Sequence, residues 1–184
     1  MDHDIWWSII DSFNLGSTFR MDLEQLSRWS ESESKPSGDL SFLLNQGFAQ
    51  KAIHLLPFFQ HLIVKCGDKG VLVVMYLSPE AAANSGWRQE RSNPRQRYVV
   101  ATGKSGEIVV IQYFPALPVP LPLNVTGAGD SFVGALLATL ANEPTGLYHP
   151  RFLSEALSTA QQAAVLTLQS PLAVSPMLSK LASA

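Results

Sequence analysis

Residues 124–137 have the sequence NVTGAGDSFVGALL, in which a turn of small residues runs directly into an apolar helix pattern. Glycine at positions 127 and 129 and alanine at 128 leave the backbone N–H groups of residues 127–130 unshielded. Such N–H groups at a helix N-terminus, together with the positive end of the helix dipole, attract anions. The stretch therefore predicts an anion-binding turn followed by a helix over about 129–141. An ordinary capped helix after a glycine turn is the alternative interpretation.

Asp130 falls in the first turn of this predicted helix. The helix dipole favours a carboxylate there, so a purely structural role is one interpretation. In a phosphate-binding site the same carboxylate would lie beside the atoms that react. The residue pattern alone leaves both roles open.

Spacing excludes two other phosphate-binding motifs. Gly127 and Gly129 begin like a dinucleotide fingerprint, but its third glycine position is Phe132, whose ring would keep helix and strand apart. Residues 103–105, Gly-Lys-Ser, look like the end of a Walker A loop, yet the earlier glycine position is Tyr98. The turn at 127–130 therefore belongs to neither class.

The same segment resembles a signature of the PfkB, or ribokinase-like, family of sugar and nucleoside kinases, usually written D-T-x-G-A-G-D. Residues 63–72, IVKCGDKGVL, resemble that family's strand–glycine turn–strand, and residues 156–176 resemble the helix and loop that close its nucleotide pocket. The resemblance covers roughly residues 40–180. It implies an α/β chain with the three-layer α/β/α ribokinase-like fold, present over residues 1–184 as one partial domain, the C-terminal portion.

The resemblance also implies a reaction, the transfer of the γ-phosphoryl group of ATP to a sugar or nucleoside hydroxyl. Asp130 would be the base that accepts the hydroxyl proton. The N–H groups of Gly127, Ala128 and Gly129 would form the anion hole. ATP, with Mg²⁺, would be bound by residues from three places in the chain, namely Lys65, Gly67, Gly70, Thr126, Ala160 and Ala164.

Several of these residues have simpler explanations. Thr126 could cap the helix, and Gly67 and Gly70 could serve a hairpin turn that needs positive φ. The alanines could mark a close contact between a helix and a sheet. By the same resemblance Asn124 and Ser175 would help hold a monovalent cation such as K⁺, although Asn124 replaces the family's usual Asp and removes one charged contact.

The family's metal-associated N-x-x-E motif does not occur, because none of the asparagines has Glu three residues later. The chain therefore resembles the second half of a kinase. We weigh three interpretations: a nucleotide-binding half that needs the rest of the kinase, a non-catalytic ATP-binding or interaction module, and a fragment that does not fold alone. Residues 6–13 and 124–126 most resemble fungal pseudouridine kinase modules, some of which are fused to a pseudouridine-phosphate glycosidase.

Composition narrows the class of protein further. Hydrophobic residues make up 46% and charged residues 15% of the 184, below the roughly 25% charge of typical soluble domains, so some surface is expected to be covered. The net charge of -2 argues against nucleic acid as a partner. We expect no membrane span and no signal peptide. The single Cys66 suits a reducing compartment, so a cytoplasmic protein is expected.

Hydrophobic periodicity predicts the order of the elements. Helices are expected at 4–13, 22–29, 39–45 and 47–56, then strands at 61–65 and 71–77. An irregular insertion is expected over 79–97. A strand pair at 98–101 and 108–113, a proline-rich connector and a helix at 151–168 complete the pattern, followed by a short terminal helix.

Overall fold

The computed structural model describes residues 42–43, 46–93 and 97–181. The chain divides into two compact units, Met1–Pro115 and Ala116–Ala184. The helices predicted at 4–13 and 22–29 lie outside the described residues. That the whole chain forms one partial domain stays a prediction.

The first unit is built on a four-stranded sheet. Helix α1 (Phe48–Leu55) comes first, followed by β1 (His61–Lys65) and β2 (Gly70–Leu77). Helix α2 (Pro79–Ala83) then precedes β3 (Tyr98–Thr102) and β4 (Ile108–Pro115). The strand order is β1-β2-β4-β3 and every pairing is antiparallel. The four predicted strands are confirmed, and the sheet with its helices agrees with an α/β class.

The register of the sheet places alternate side chains on two faces. Leu72 lies opposite Tyr113, and Val74 lies opposite Ile111, so these four share one face. That face and α1 bury their apolar side chains in a common core. The core explains why strands form here, since β-branched and aromatic residues pack well on a pleated surface. Its buried members are Phe42, Leu43, Ala49, Ala52, Ile53, Leu72, Val74, Val99, Ala101, Val109, Ile111 and Tyr113.

The segment between β2 and β3 is more ordered than predicted. Ser78 caps α2 by accepting a hydrogen bond from the Ala81 N–H at 3.2 Å, with proline at the first helical position. A 3₁₀ turn, Gly86–Gln89, then buries Trp87 completely. The Trp87 ring meets the Tyr98 ring edge-on, with centroids 5.6 Å apart. The prediction of an irregular insertion was wrong for this part, because one buried indole anchors a short polar segment.

Tyr98 provides a pH-dependent test of this packing. Burial raises the pKa of Tyr98 to about 12, and its hydrogen bond to the Glu90 carboxylate acts in the same direction. The unfolded chain releases this proton near pH 10, so the stabilisation is complete below pH 10 and is lost as the pH rises towards 12. Absorbance titration should therefore show tyrosinate absorbance that still rises near pH 12, and Tyr98→Phe should remove that part of the rise. An unchanged curve in Tyr98→Phe would contradict the assignment.

The second unit is helical in its described part. Helix α3 (Ala128–Asn142) leads through a 3₁₀ turn, Gly146–Tyr148, to helix α4 (Pro150–Leu168), and a short α5 (Leu178–Leu181) follows. Helices α3 and α4 pack against each other. The buried positions of α4 recur at helical spacing, which is the pattern that predicted it. Both predicted helices are confirmed to within one residue at either end. Among the described helices, none is long and apolar enough to span a membrane.

Candidate active site

The glycine turn opens α3 in the way the sequence predicts. Gly127 is the N-cap, with φ +78°, and offers no side-chain hydrogen bond to the first turn. The first hydrogen bond of the helix runs from the Ser131 N–H to the Gly127 carbonyl at 2.8 Å. Gly127 has no side chain to cap this end, and backbone N–H groups in the first turn of a helix are a favourable environment for an anion.

Gly127 is also required by its surroundings. A Cβ atom added there would overlap the carbonyl oxygen of Ala173, and the positive φ disfavours any other residue. The turn and the loop after α4 are therefore in direct backbone contact. Gly67, which also has positive φ, has open space where its Cβ would be.

The residues before the turn form a small hydrogen-bonded loop. The Thr126 N–H donates to Asn124 Oδ1 at 2.9 Å, and Asn124 Nδ2 donates to the Pro171 carbonyl at 3.4 Å. The alternative in which Thr126 caps the helix is wrong, because the N-cap residue is Gly127. Thr126 is exposed instead.

Asp130 lies in the first turn of α3 and is exposed. Its neighbours Ser131 and Phe132 are buried, as is Leu136 one turn later. Successive residues in an α-helix are separated by about 100°, so the carboxylate lies beside the buried face rather than within it. The exposed carboxylate is accessible to a proton donor from solvent or a ligand.

A pair of buried hydroxyl groups adjoins the site, and the sequence analysis did not identify it. The side-chain oxygens of Ser131 and Thr167 are 2.8 Å apart, and both residues are buried. Thr167 Oγ1 also accepts a hydrogen bond from the Ser175 N–H at 3.4 Å. The available signal was that Thr167 continues the buried stripe of α4 marked by Ala160 and Ala163. A hydroxyl on such a stripe needs a partner.

The predicted cation ligands occupy different environments. Asn124 is half-buried, and its amide oxygen already accepts the Thr126 N–H, which leaves one of two lone pairs. Ser175 is buried, and its Oγ accepts the Met177 N–H at 3.3 Å. Each side-chain oxygen can still accept from, or coordinate, one further group. Within the part of the chain that the structure describes, no three His, Cys, Asp or Glu side chains group as metal ligands.

The predicted alanines of α4 differ in exposure. Ala160 is fully buried, whereas Ala164 is half-buried. Only Ala164 has accessible surface for a ligand, and Ala160 serves the packing of α4. The alternative explanation of close packing therefore describes Ala160 well.

The glycine turn of the first unit has its own geometry. Gly67 and Gly70 have φ +61° and +114°, and they flank a 3₁₀ turn, Gly67–Lys69, between β1 and β2. The Cys66 N–H donates to the Gly70 carbonyl at 2.7 Å, and the Tyr113 hydroxyl donates to the Lys69 carbonyl. The structural role of both glycines in a turn is thus confirmed. Lys65 is exposed at the end of β1, and nucleotide contacts from this turn stay a prediction.

The described residues include a glycine turn that opens helix α3 with a carboxylate in its first turn, and another glycine turn between β1 and β2. The comparison with known families gives the class of protein. The model of the pfkB family of carbohydrate kinases matches residues 78–180, more than half of the chain. The chain belongs to this family. The match contains α3, α4 and the turn at Gly127, and it leaves Lys65 outside.

One relative adds a narrower similarity. The chain is 29% identical over 181 residues to a pseudouridine-metabolizing bifunctional protein of Schizosaccharomyces pombe (strain 972 / ATCC 24843). The aligned part is 98% of this chain and 20% of the relative. The chain therefore spans about a fifth of the length of the protein that it resembles. The predicted family resemblance is confirmed.

Proposed function

We propose that this chain is the nucleotide-binding and catalytic-base part of a kinase that phosphorylates a hydroxyl of a sugar or nucleoside. Pseudouridine or a ribose-type molecule is the proposed acceptor, because the relative's name contains pseudouridine. One observation carries the proposal: a glycine with positive φ, Gly127, opens α3, and an exposed Asp130 lies in its first turn. The three-layer ribokinase-like arrangement belongs to the same proposal.

The proposed reaction is an in-line displacement. The acceptor hydroxyl oxygen forms a bond to the γ-phosphorus of ATP, the bond to the bridging oxygen breaks, and ADP leaves with that electron pair. Asp130 takes the hydroxyl proton. The N–H groups of Gly127, Ala128 and Gly129 stabilise the charge that grows on the phosphoryl oxygens. Positioning and electrostatics supply most of the catalysis in such transfers.

The remaining site residues take the roles that the family resemblance implies. Lys65, Gly67 and Gly70 would border the ATP phosphates, and Thr126 and Ala164 would line the nucleotide site. Mg²⁺ would arrive with the nucleotide and be held largely by phosphate oxygens. The free lone pairs of Asn124 and Ser175 suit a monovalent cation such as K⁺. Ala160 would support the site from within the core, because it is fully buried.

A second candidate is a non-catalytic ATP-binding or interaction fragment of the same fold. The missing N-x-x-E motif favours it, since no asparagine of the chain has Glu three residues later. The first proposal accommodates this by assigning the motif and the acceptor site to further chain. We also propose a glycosidase domain fused in the parent protein, and the relative is named a bifunctional protein. We place the parent in the cytoplasm.

ATP binding by this chain and its activity can be tested separately. Millimolar ATP with Mg²⁺ should raise the Tm of residues 1–184, because a ligand that binds the native state stabilises it. AMP, which lacks the β- and γ-phosphates, should raise it less. Transfer to pseudouridine by residues 1–184 alone should be far below the roughly 1–100 s⁻¹ of ordinary kinases, whereas the full-length protein carrying this sequence should reach that range.

Two results would contradict the proposal. Equal Tm shifts with ATP and AMP would remove the phosphate-binding role of the turn. A full-length protein that binds ATP but phosphorylates no sugar or nucleoside would favour the second candidate.

A further inference from the structure

Two buried hydroxyl groups connect the start of α3 to the end of α4. Ser131 follows Asp130 directly, and Thr167 lies in the last turn of α4. Their side-chain oxygens are 2.8 Å apart, and the residues are only 7% and 0% exposed. In this dry environment neither hydroxyl can exchange its partner for water without cost.

The end of α4 also anchors two segments near the glycine turn, namely the segment that leads into the turn and the loop that follows α4. Thr167 Oγ1 accepts the Ser175 N–H at 3.4 Å. The adjacent Leu168 carbonyl accepts the N–H groups of Leu123 and Asn124 at 2.8 and 3.3 Å. The segment that enters the turn and the loop in contact with Gly127 are therefore anchored to neighbouring residues of one helix.

The hydroxyl pair fixes the direction of the Asp130 side chain. The packing of the buried Phe132 and Leu136 side chains already restricts rotation of α3 about its axis, and a hydrogen bond adds a contact that is sensitive to direction. The Ser131–Thr167 hydrogen bond is directional. Because Asp130 precedes Ser131 by about 100° around α3, this bond sets where the carboxylate points.

From this geometry we infer that Thr167 is a positioning residue for phosphoryl transfer. Its hydroxyl sets the rotation of α3 through Ser131 and the position of the 170–175 loop through the Ser175 N–H. Thr167 touches neither substrate nor nucleotide, and the inference rests on the proposed function. A displacement of about 1 Å at a reacting group can cost roughly 100-fold in rate, so loss of this hydroxyl should affect turnover.

The test uses Thr167→Val and Thr167→Ser in the full-length protein that carries this sequence. Valine keeps the shape and removes the oxygen, so Ser131 and the Ser175 N–H lose the partner described above. We expect kcat for transfer to pseudouridine to fall about 100-fold, with KM for ATP changed far less. Serine keeps the oxygen and should restore most of kcat. Assays are run well below the Tm of every variant.

Thr159→Val is the matched control. Thr159 lies on the same helix, and its hydroxyl donates to the Glu155 carbonyl at 3.0 Å in an exposed position. The substitution is chemically the same, and kcat should stay at the wild-type value.

Each outcome distinguishes the inference from the proposed function. A lower Tm with normal kcat in Thr167→Val would make Thr167 purely structural and overturn the inference. Equal losses of kcat in Thr167→Val and Thr167→Ser would show that the retained hydroxyl does not restore turnover, and would overturn the inference as well. A wild-type protein without phosphoryl transfer would overturn the proposed function, and the inference with it. An active wild type, a weakly active Asp130→Asn enzyme and a normal Thr167→Val enzyme would support the proposed function and overturn the inference.

Discussion

Asp130→Asn is expected to lower kcat for phosphoryl transfer by about 10²–10⁴-fold in the full-length protein that carries this sequence, with little change in KM for ATP. Asparagine has the size of aspartate and keeps the geometry of the first turn of α3, but it cannot accept the hydroxyl proton. Asp130 is exposed in the first turn of α3, so its carboxylate is accessible to the acceptor hydroxyl in the proposed reaction. Steady-state kinetics with ATP and pseudouridine measure the effect.

Glu80→Gln is the control for Asp130→Asn. Glu80 is likewise an exposed carboxylate in the first turn of a helix, α2, so its neutralisation repeats the change of charge at a helix N-terminus. Its kcat should equal that of the wild type. If Asp130 only complements the helix dipole, Asp130→Asn should cost about 0.3–1 kcal/mol of stability and leave turnover intact. That result would remove the catalytic role.

Local patterns predicted most of the described elements. Helix α3 was predicted because a small-residue turn precedes a long apolar run without Pro. Strand β2 was predicted because it is a continuous apolar run that contains no residue that breaks a strand. Each signal is contained within one segment of the chain. The turn at Gly67 was predicted for the same reason, since glycines at short spacing between strands mark positive φ.

Tertiary contacts account for what the sequence did not predict. Trp87 orders a polar segment because it packs against Tyr98, eleven residues later, and no local pattern contains that contact. The hydrogen bond between Ser131 and Thr167 joins residues that are 36 positions apart, and no motif in the sequence spans that separation. The same holds for the contact of Gly127 with Ala173, which makes the glycine necessary for a reason beyond its φ angle. Long-range packing thus determined the parts of the site that local reasoning missed.

Gly127→Ala is expected to impair both stability and turnover. The positive φ alone should cost about 1–2 kcal/mol in a residue with a Cβ. The overlap of that Cβ with the Ala173 carbonyl adds to the cost, because backbone must move to relieve it. Displacement of the turn would also shift the amides that stabilise the transferred phosphoryl group, for which loss of one donor costs about 10²–10³-fold in kcat. Thermal unfolding and steady-state kinetics measure the two effects.

Substitutions at two other glycines separate the cost of the positive φ angle from the cost of the overlap with the Ala173 carbonyl. Gly67→Ala also places a Cβ at positive φ, but nothing lies within reach of it, so its loss of stability should stay near the cost of the φ angle alone. Gly134→Ala lies within α3 with open space around the new methyl group, and it should stabilise the chain by about 0.5–1 kcal/mol. If Gly127→Ala lost no more stability than Gly67→Ala, the backbone contact with Ala173 would not constrain the turn. If it kept normal kcat despite lost stability, the amides of the turn would not form the anion hole.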